Sequence, residues 1–315
     1  MLHAPPAVAT DPMDQGEVER HAPLAGPMPA LPVPDARGLR AALDREFPWL
    51  ADATRAIARE VALLPDGAPA RLPPLLLAGP PGLGKSTFAR RVLEICGLPH
   101  RLVTATEGGG ATLLGGHGRG WRGGRPALPL GLMAQSGLRT VGIVVDDVDR
   151  QGSADGWGTP QGWLLAVLEP ATAQRYWDPF LLTECDLTGV SWVLTANDLS
   201  SVSGALKDRC LVVEVGYPPP DAAEMVVDGL LARLAAETGQ RPGPLRIPAA
   251  AREVMVRGFA ADPSTLRALA RVVRLVCGAA RLGEDPVAVA RAGLAAISQA
   301  EDRPYAARRL GFGRR

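Results

Sequence analysis

The clearest pattern in this sequence is an alternation of short apolar runs with segments of helical periodicity, which begins near residue 74. The apolar runs have the length of β-strands and lie at residues 75–78, 101–105, 141–145, 191–196 and 211–215. Helical segments follow residue 85 and recur at 130–135 and 163–168. Such alternation is typical of a parallel sheet that is covered by helices. The sequence therefore predicts an α/β fold for this part of the chain.

The same pattern divides the chain into four parts. Residues 1–36 are rich in proline and lack apolar periodicity, which predicts a disordered, partly extended arm. Residues 37–218 hold two helical pieces separated at Pro48, followed by the α/β region. The chain changes at the run of three prolines at 218–220: residues 219–300 contain alanine-rich helical segments and no strand candidate, so we expect a separate helical domain. Residues 301–315 are rich in arginine and are expected to form a flexible tail.

Composition and charge exclude several classes of protein. The net charge is +1, so no overall positive field favours a nucleic-acid partner. The sequence has no apolar run of about 18 residues that could cross a membrane, and its start lacks the pattern of a secretory signal. Its four cysteines are far apart, which is typical of buried thiols in a reducing compartment. We therefore expect a cytoplasmic protein without a membrane partner.

A phosphate-binding loop stands between the first predicted strand and the helix after it. Its motif, G-x-x-x-x-G-K-[ST], and the threonine that follows comprise Gly79, Pro80, Pro81, Gly82, Leu83, Gly84, Lys85, Ser86 and Thr87. Glycines let the backbone N–H groups of such a loop surround an anion, and the helix N-terminus adds unpaired donors. Lys85, one of only two lysines in the chain, is placed to reach the β- and γ-phosphates, and Ser86 is placed to bind Mg²⁺. The sequence therefore predicts that the protein binds a nucleoside triphosphate.

Two further strands end in polar residues that fit such a site. The predicted strand 141–145 is followed by Asp146 and Asp147, and the strand 191–196 is followed by Asn197. The carboxyl ends of parallel strands border the ligand crevice. We therefore expect Asp146 to bind Mg²⁺ through water, Asp147 to orient or deprotonate the attacking water, and Asn197 to polarise that water. An acidic turn and a strand-terminal asparagine cap are the alternatives.

Together these motifs resemble those of an AAA+ ATPase. The segments that carry the resemblance read GPPGLGKST, VVDDVDR, LTAND and LKDRC. Three further stretches, at residues 115–126, 164–170 and 186–197, are similar to segments of the ATPase module of Lon proteases. The resemblance implies an α/β P-loop NTPase domain followed by a small all-α lid domain. It also implies a homo-oligomeric ring, a hexamer by analogy, that uses ATP and Mg²⁺ to act on a protein or polypeptide.

The resemblance assigns roles to residues outside the phosphate-binding loop. Asn197 matches the first sensor, and Arg209 matches the arginine finger that reaches the γ-phosphate bound by a neighbouring subunit. The alternative for Arg209 is a surface salt bridge with Asp208. Trp121 and Arg122 fall where Lon proteases carry the pair that grips polypeptide in the central pore, and the glycines around them favour a protruding loop.

Several residues depart from the family pattern or fit it loosely. Asp147 stands where glutamate is expected and is one methylene shorter, which predicts slow hydrolysis, and the pore pair is not aromatic–aliphatic. The position of the second-sensor arginine holds Ser264, and Arg267, one helical turn further, is the candidate substitute. Trp157 is a candidate for a second pore loop, with a buried tryptophan as the alternative. His117 is expected to form hydrogen bonds within its loop.

Three functions are compatible with these observations. Neither the N-terminal substrate domain nor the Ser–Lys protease domain of Lon is found in the sequence, so we expect an ATPase that remodels or unfolds a protein partner without a peptidase of its own. The first alternative is an ATP-dependent switch or scaffold with weak hydrolysis, which the short Asp147 and the absent second sensor favour. The other is a DNA-directed loader. Only the arginine-rich tail supports it, so a nucleic-acid partner is not expected.

Overall fold

The structure, a computed structural model, describes residues 2–3, 12–106, 111–119, 123–150, 158–239, 245–262 and 266–301. The chain divides into two compact units. Unit 1 comprises the residues up to Leu43 together with Leu50–Gly216, and unit 2 comprises Asp44–Trp49 together with the residues from Tyr217 onward. The sequence pattern differs in assigning residues 44–49 to the α/β part, in separating residues 1–36 from it, and in ending it at residue 218.

A five-stranded parallel sheet is the centre of unit 1. The described strands are β1 (Leu75–Ala78), β2 (His100–Thr104), β3 (Val141–Asp146), β4 (Tyr176–Asp178), β5 (Thr183–Cys185), β6 (Val190–Ala196) and β7 (Leu211–Glu214). The order in the sheet is β2-β3-β6-β1-β7, while β4 and β5 form a separate antiparallel pair. The inner strands β1, β3 and β6 are buried along almost their whole length, as expected for strands covered on both faces. The predicted α/β fold is confirmed.

The helices alternate with these strands and then continue alone. The described helices are α1 (Pro12–His21), α2 (Ala36–Glu46), α3 (Ala51–Ala62), α4 (Lys85–Ile95), α5 (Ala111–Gly115), α6 (Leu128–Ser136), α7 (Pro160–Leu168), α8 (Pro170–Gln174), α9 (Gly204–Lys207), α10 (Ala223–Glu237), α11 (Ala249–Ala261), α12 (Leu266–Leu282) and α13 (Pro286–Glu301). The predicted all-helical C-terminal region is confirmed. Among the helices that the structure describes, none combines the length and the apolar character needed to span a bilayer.

Close packing of α4 on the sheet fixes the position of the phosphate-binding loop. Phe88 and Val92 of α4 are fully buried. Gly142 of β3 leaves room for Leu93, since a Cβ atom at this glycine would lie 2.6 Å from Cδ1 of the leucine. The first residue of α4 is Lys85, so the core holds this residue at the carboxyl ends of the strands.

The segment before α2 differs from its prediction. The sequence predicts a disordered arm for residues 1–36, and for residues 12–36 this is wrong. These residues begin with α1, and Leu24 is fully buried in the core of unit 1. Further on, the N–H of Leu31 donates to Oγ1 of Thr140 at 3.0 Å. Proline prevents regular elements here, but an extended segment that packs on the unit still finds partners for its remaining N–H groups.

Unit 2 is a group of helices together with the short segment before residue 50. Phe47 is fully buried, and the guanidinium carbon of Arg233 lies 5.7 Å from the centroid of its ring. Gly229 of α10 leaves room for Pro48, since a Cβ atom at this glycine would lie 2.5 Å from the proline Cδ. These contacts explain why Asp44–Trp49 belongs to the helical unit, which the break in periodicity at Pro48 does not reveal.

Candidate nucleotide-binding site

Glycines build the loop between β1 and α4 in backbone conformations that other residues rarely adopt. Gly79 has a φ of 153°, and a Cβ atom there would lie 2.0 Å from the carbonyl oxygen of Val215. Gly84 precedes α4 with a φ of 84°, in the left-handed region. The chain therefore turns sharply from the strand into the helix, and the N–H groups of the first helical turn border the loop. This backbone shape fits an anion such as a phosphate group.

The ammonium group of Lys85 lies inside this loop. Lys85 is 6% exposed, and its Nζ donates to the carbonyl oxygens of Gly79 at 2.7 Å and of Pro80 at 2.9 Å. Its Nζ also donates to Oδ1 of Asn197 at 2.9 Å. A buried ammonium needs such acceptors, because burial without them is costly. A phosphate oxygen in the loop would compete with these neutral oxygens and would add the opposite charge.

Asp146 and Ser86 form the second part of the site. The hydroxyl of Ser86 donates to Oδ1 of Asp146 at 2.6 Å, and the hydroxyl of Thr195 donates to the same oxygen. A hydroxyl and a carboxylate are oxygen ligands of the kind that Mg²⁺ prefers, with water and phosphate as its further ligands. In the described part of the chain, no group of three or more His, Cys, Asp or Glu side chains could hold a metal ion on its own. The pair therefore fits a Mg²⁺ ion that is bound together with a nucleotide.

Asn197 connects Lys85 with Asp147. Its Nδ2 donates to Oδ1 of Asp147 at 2.7 Å, while its Oδ1 accepts from Lys85. The chemistry of the partners sets the orientation of this amide, since an ammonium only donates and a carboxylate only accepts. Asp147 has a φ of 55°, and its Oδ2 lies 3.3 Å from Nε of Arg150. The loop after β1 and the ends of β3 and β6 thus meet at one edge of the sheet.

Thr195 belongs to this site, although no motif indicates it. Its side chain is fully buried in β6, and its Oγ1 accepts from the backbone N–H of Asp147 at 3.2 Å while it donates to Asp146. The only signal in the sequence is a threonine near the end of an apolar run. A β-branched residue in a buried strand produces the same signal without any role in a site.

The structure places Arg209 outside this group of side chains. Arg209 follows α9; its Nη1 donates to the carbonyl oxygen of Ala205 at 3.0 Å, and its Nη2 lies 3.3 Å from Oε2 of Glu169. The ion pair expected as the alternative was with Asp208, and Glu169 takes that place here. Both side chains are partly exposed, at 35% and 47%, so the pair contributes little stability and the guanidinium is able to leave it.

Some predicted site residues lie outside the described residues. These are Trp121, Arg122, Trp157, Ser264 and residues 302–315. His117 precedes Trp121 and Arg122 in the chain, and Arg125 follows them. The backbones of His117 and Arg125 form an isolated β-bridge with N–H···O distances of 2.8 and 3.2 Å. Arg267 lies in the first turn of α12.

The cysteines take no part in the site. All four are free, and burial raises the pKa of Cys96, Cys185 and Cys210 to about 12. Burial also raises the pKa of Cys277. A thiol with so high a pKa stays protonated at neutral pH and is a poor nucleophile. These residues are therefore structural.

Together the fold and the site define a class of protein. A parallel sheet whose strand leads into a glycine-rich loop, with Lys85 and Ser86 at the start of the next helix and Asp146 ending another strand, is the arrangement of P-loop nucleoside triphosphatases. Residues 75–216 match the sequence model of the ATPase family associated with various cellular activities (AAA). This part of the chain is therefore similar to the ATP-hydrolysing domains of that family.

Several Lon proteases are similar to this chain. Lon protease 4 of Sorangium cellulosum is 30% identical over 250 residues, which are 79% of this chain and 31% of that protein. The Lon protease of Desulfovibrio desulfuricans is 32% identical over 206 residues, which are 65% of this chain and 23% of that protein. Lon protease 1 of Bacillus subtilis is 29% identical over 208 residues, 65% of this chain and 26% of that protein. The chain spans less than a third of the length of these relatives, and the predicted likeness to a Lon ATPase module is confirmed.

Proposed function

We propose that unit 1 binds ATP together with Mg²⁺ and hydrolyses the ATP. The observation that carries the proposal is the network in which Asn197 links Lys85 to Asp147, beside the Ser86–Asp146 pair. In this proposal Lys85 and the loop backbone hold the β- and γ-phosphates. Ser86 binds the ion directly and Asp146 binds it through water. Bound Mg²⁺ supplies the positive charge that neutralises the phosphates.

Three residues are proposed to act in hydrolysis. Asp147 orients and deprotonates the attacking water, using Oδ2, whose partner Arg150 is an exposed side chain. Asn197 keeps the Asp147 carboxylate in place and helps to polarise the water. Arg209 leaves its ion pair with Glu169 and reaches the γ-phosphate bound by a neighbouring subunit, where its guanidinium spreads several donors over the developing charge.

We further propose that the chain assembles into a homo-oligomeric ring, a hexamer, that remodels or unfolds a protein partner. The support is its likeness to the Lon proteases, which is limited to less than a third of their length. Trp121 and Arg122 would contact the polypeptide, and the bridge between His117 and Arg125 joins the two strands of chain that lead to them. The four free thiols suit the reducing cytoplasm.

A second candidate function is an ATP-dependent switch or scaffold with weak hydrolysis. The observation that favours it is that both carboxylate oxygens of Asp147 have partners, Asn197 at one and Arg150 at the other. A base that is held on both sides and is one methylene shorter than glutamate deprotonates water slowly. Binding and assembly would then carry the signal.

The rate of ATP hydrolysis against protein concentration separates the two functions. If subunits share active sites, the specific activity rises with concentration as larger assemblies appear in size-exclusion chromatography with ATP. Lys85→Ala protein, purified in the same way, measures any contaminating ATPase. If the protein binds ATP and assembles but does not hydrolyse ATP, the switch function is supported and the remodelling ATPase is contradicted. If the protein does not bind ATP, both functions are contradicted.

A further inference from the structure

A buried glutamine links the turn after β3 to the segment that carries Arg209. Gln161 is the second residue of α7 and is 8% exposed. Its Nε2 donates to the carbonyl oxygens of Val148 at 2.9 Å and of Ser201 at 3.0 Å. Its Oε1 accepts from the N–H of Ser203 at 2.9 Å. One side chain therefore holds two separate segments of backbone.

The first segment contains the proposed catalytic carboxylate. Val148 follows Asp147 directly, its side chain is buried, and its N–H donates to the carbonyl oxygen of Thr195 at 2.9 Å. Asp147 itself combines a φ of 55° with the hydrogen bond from Asn197. Because Val148 follows Asp147 directly, a rotation of this turn would displace the carbonyl oxygen of Val148, which accepts from Gln161.

The second segment leads to the proposed arginine finger. Ser203 caps α9, because its Oγ accepts from the N–H of Leu206 at 3.3 Å. Leu206 is fully buried, and its carbonyl oxygen accepts from the N–H of Arg209 at 3.2 Å. With only one helical turn, α9 depends on its ends for its position. The hydrogen bond from Ser203 to Gln161 thus helps to set where Arg209 stands.

The helix that contains Gln161 does not itself need this side chain. The cap of α7 is Thr159, whose Oγ1 accepts from the N–H of Gly162 at 3.1 Å. All three hydrogen bonds of the Gln161 amide lead out of the helix. A satisfied buried polar group of this kind rigidifies the segments that it joins.

We propose that Gln161 is a positioning residue that couples the nucleotide site of a subunit to the arginine finger which the same subunit presents to its neighbour. The inference rests on the proposed function, in which Arg209 acts on the next subunit. A change at the Asp147 turn passes through the Gln161 amide to Ser203, and so to α9. Hydrolysis in one subunit then changes the position of the Arg209 side chain that acts on the next subunit.

Gln161→Met tests this, because it keeps the length of the side chain and removes its three hydrogen bonds. We expect ATP affinity in calorimetry to change by less than about threefold, and kcat to fall by about 10- to 100-fold, the effect of misplacing a catalytic group by about 1 Å. Gln174→Met, at an exposed glutamine of α8, is the matched control and should leave kcat unchanged. An unchanged kcat in Gln161→Met would overturn the inference.

Mixed assemblies then decide where Gln161 acts. A Gln161→Met subunit has an intact phosphate-binding loop, and a Lys85→Ala subunit has an intact finger. If Gln161 positions the finger, their mixture recovers activity at the interfaces that pair these two intact parts. If the two variants co-assemble without recovery, Gln161 acts within its own subunit's site and the inference is wrong. A parallel mixture of Arg209→Ala with Lys85→Ala distinguishes a failure of the inference from a failure of the proposed function. If this mixture recovers no activity, Arg209 does not act on the next subunit, and both the proposed function and the inference are wrong.

A second pair of variants covers the case in which Gln161→Met does not bind ATP or does not assemble. Ser203 has a φ of −60°, which proline adopts, so Ser203→Pro removes the N–H that Gln161 accepts from. Ser203→Ala keeps this N–H and removes only the side-chain cap. We expect the proline variant to lose at least about tenfold more kcat than the alanine variant, and to recover when mixed with Lys85→Ala. Equal losses in the two variants would contradict the coupling.

Discussion

At the scale of single residues, the ammonium group of Lys85 already lies in the phosphate-binding loop, where it forms hydrogen bonds to neutral oxygens. Lys85 donates to three neutral oxygens, those of Gly79, Pro80 and Asn197. Hydrogen bonds between two charged groups are roughly twice as strong as those between neutral groups. A phosphate oxygen is therefore a better partner for this ammonium than any that the loop provides.

Lys85→Ala should abolish tight ATP binding, because it removes the buried cation that is proposed to hold the β- and γ-phosphates. Hydrogen bonds to charged groups are worth roughly 1.5–3 kcal/mol each, so we expect at least about a tenfold loss of affinity in calorimetry. Lys207→Ala removes the only other lysine of the chain, whose Nζ contacts the carbonyl oxygen of Leu199 at 3.4 Å, and should bind ATP normally. Equal affinity of the two variants would exclude the proposed phosphate site.

Asp147→Asn should leave ATP binding intact and stop turnover. The asparagine keeps an oxygen that accepts from Asn197, so the network around Lys85 persists while the proposed base is lost. The measurement is a single-turnover assay combined with nucleotide affinity. Turnover at the wild-type rate would show that Asp147 is not the base.

Asp147→Glu tests whether the short side chain of Asp147 limits the rate of ATP hydrolysis. Aspartate is enriched at positive φ, whereas most longer side chains are not, and the φ of Asp147 is 55°. We therefore expect the added methylene to lower kcat by about tenfold or less, rather than to raise it. A faster enzyme would show instead that the chain length of Asp147 holds hydrolysis back.

The sequence predicts the residues of this site only where neighbours along the chain form a pattern. Lys85 and Ser86 stand in one motif, so their proximity follows from the motif itself. Thr195 meets Asp146, and Gln161 meets Val148 and Ser203, only through the fold. A lone threonine or glutamine in an apolar run carries no signal of such a partner.

At the scale of elements, the β4–β5 pair holds the start of α6 through one buried carboxylate. Asp178 is fully buried; its Oδ2 accepts from the N–H of Ala127 at 2.9 Å, and its Oδ1 accepts from those of Phe180 at 2.9 Å and Leu181 at 2.8 Å. Nε of Arg119 donates to the carbonyl oxygen of Phe180 at 2.6 Å. The strand pair thus holds the described ends of the glycine-rich segment that contains the pore-loop candidates.

Asp178→Ala should destabilise unit 1, because three buried N–H groups lose their acceptor. An unsatisfied buried donor costs about 1–3 kcal/mol, so we expect a loss of about 3 kcal/mol or more in urea denaturation. Asp52→Ala, which removes an exposed ion pair with Arg55, should cost about 0–1 kcal/mol. Similar losses in both variants would show that Asp178 does not hold these elements together.

The effect of Asp178→Ala should also depend on pH. Burial raises the pKa of Asp178, although the three N–H groups and His21 oppose the rise. A folded pKa above the unfolded value of about 3.9 means that the stabilisation by this group is complete below that value and is lost as the pH rises through the folded pKa. The difference in unfolding free energy between wild type and variant should therefore shrink as the pH increases. A difference that grows with pH would mean that the hydrogen bonds outweigh burial.

Elements differ in how well the sequence predicts them. The inner strands of the sheet are continuous apolar runs, and their predicted bounds agree with the structure within one residue. The β4 and β5 strands have three residues each, too few for a periodic pattern. The segment 22–35 has no periodicity at all, and tertiary contacts such as the burial of Leu24 order it. Such predictions are limited because a sequence pattern reports only on neighbours along the chain, whereas these segments are ordered by contacts with residues far away in the sequence.

At the scale of the whole molecule, the proposed active site of one chain does not contain Arg209, the proposed arginine finger, among the described residues that form it. Lys85, Asp146, Asp147 and Asn197 lie together, while Arg209 pairs with Glu169 away from them. A trans-acting finger predicts this separation, because the guanidinium belongs to the interface with the next subunit. Isolated subunits should then be nearly inactive.

Arg209→Ala should bind ATP normally and lose about 10³-fold in turnover, the lower end of the range for arginine fingers. Glu169→Ala is the matched control, since it removes the other half of the ion pair and should leave turnover at the wild-type level or above it. Mixing Arg209→Ala with Lys85→Ala should restore activity, because some interfaces then pair an intact phosphate-binding loop with an intact finger. Equal losses in Arg209→Ala and Glu169→Ala would mean that the ion pair, not a finger, matters. Co-assembly without recovery would exclude action in trans and would favour the switch.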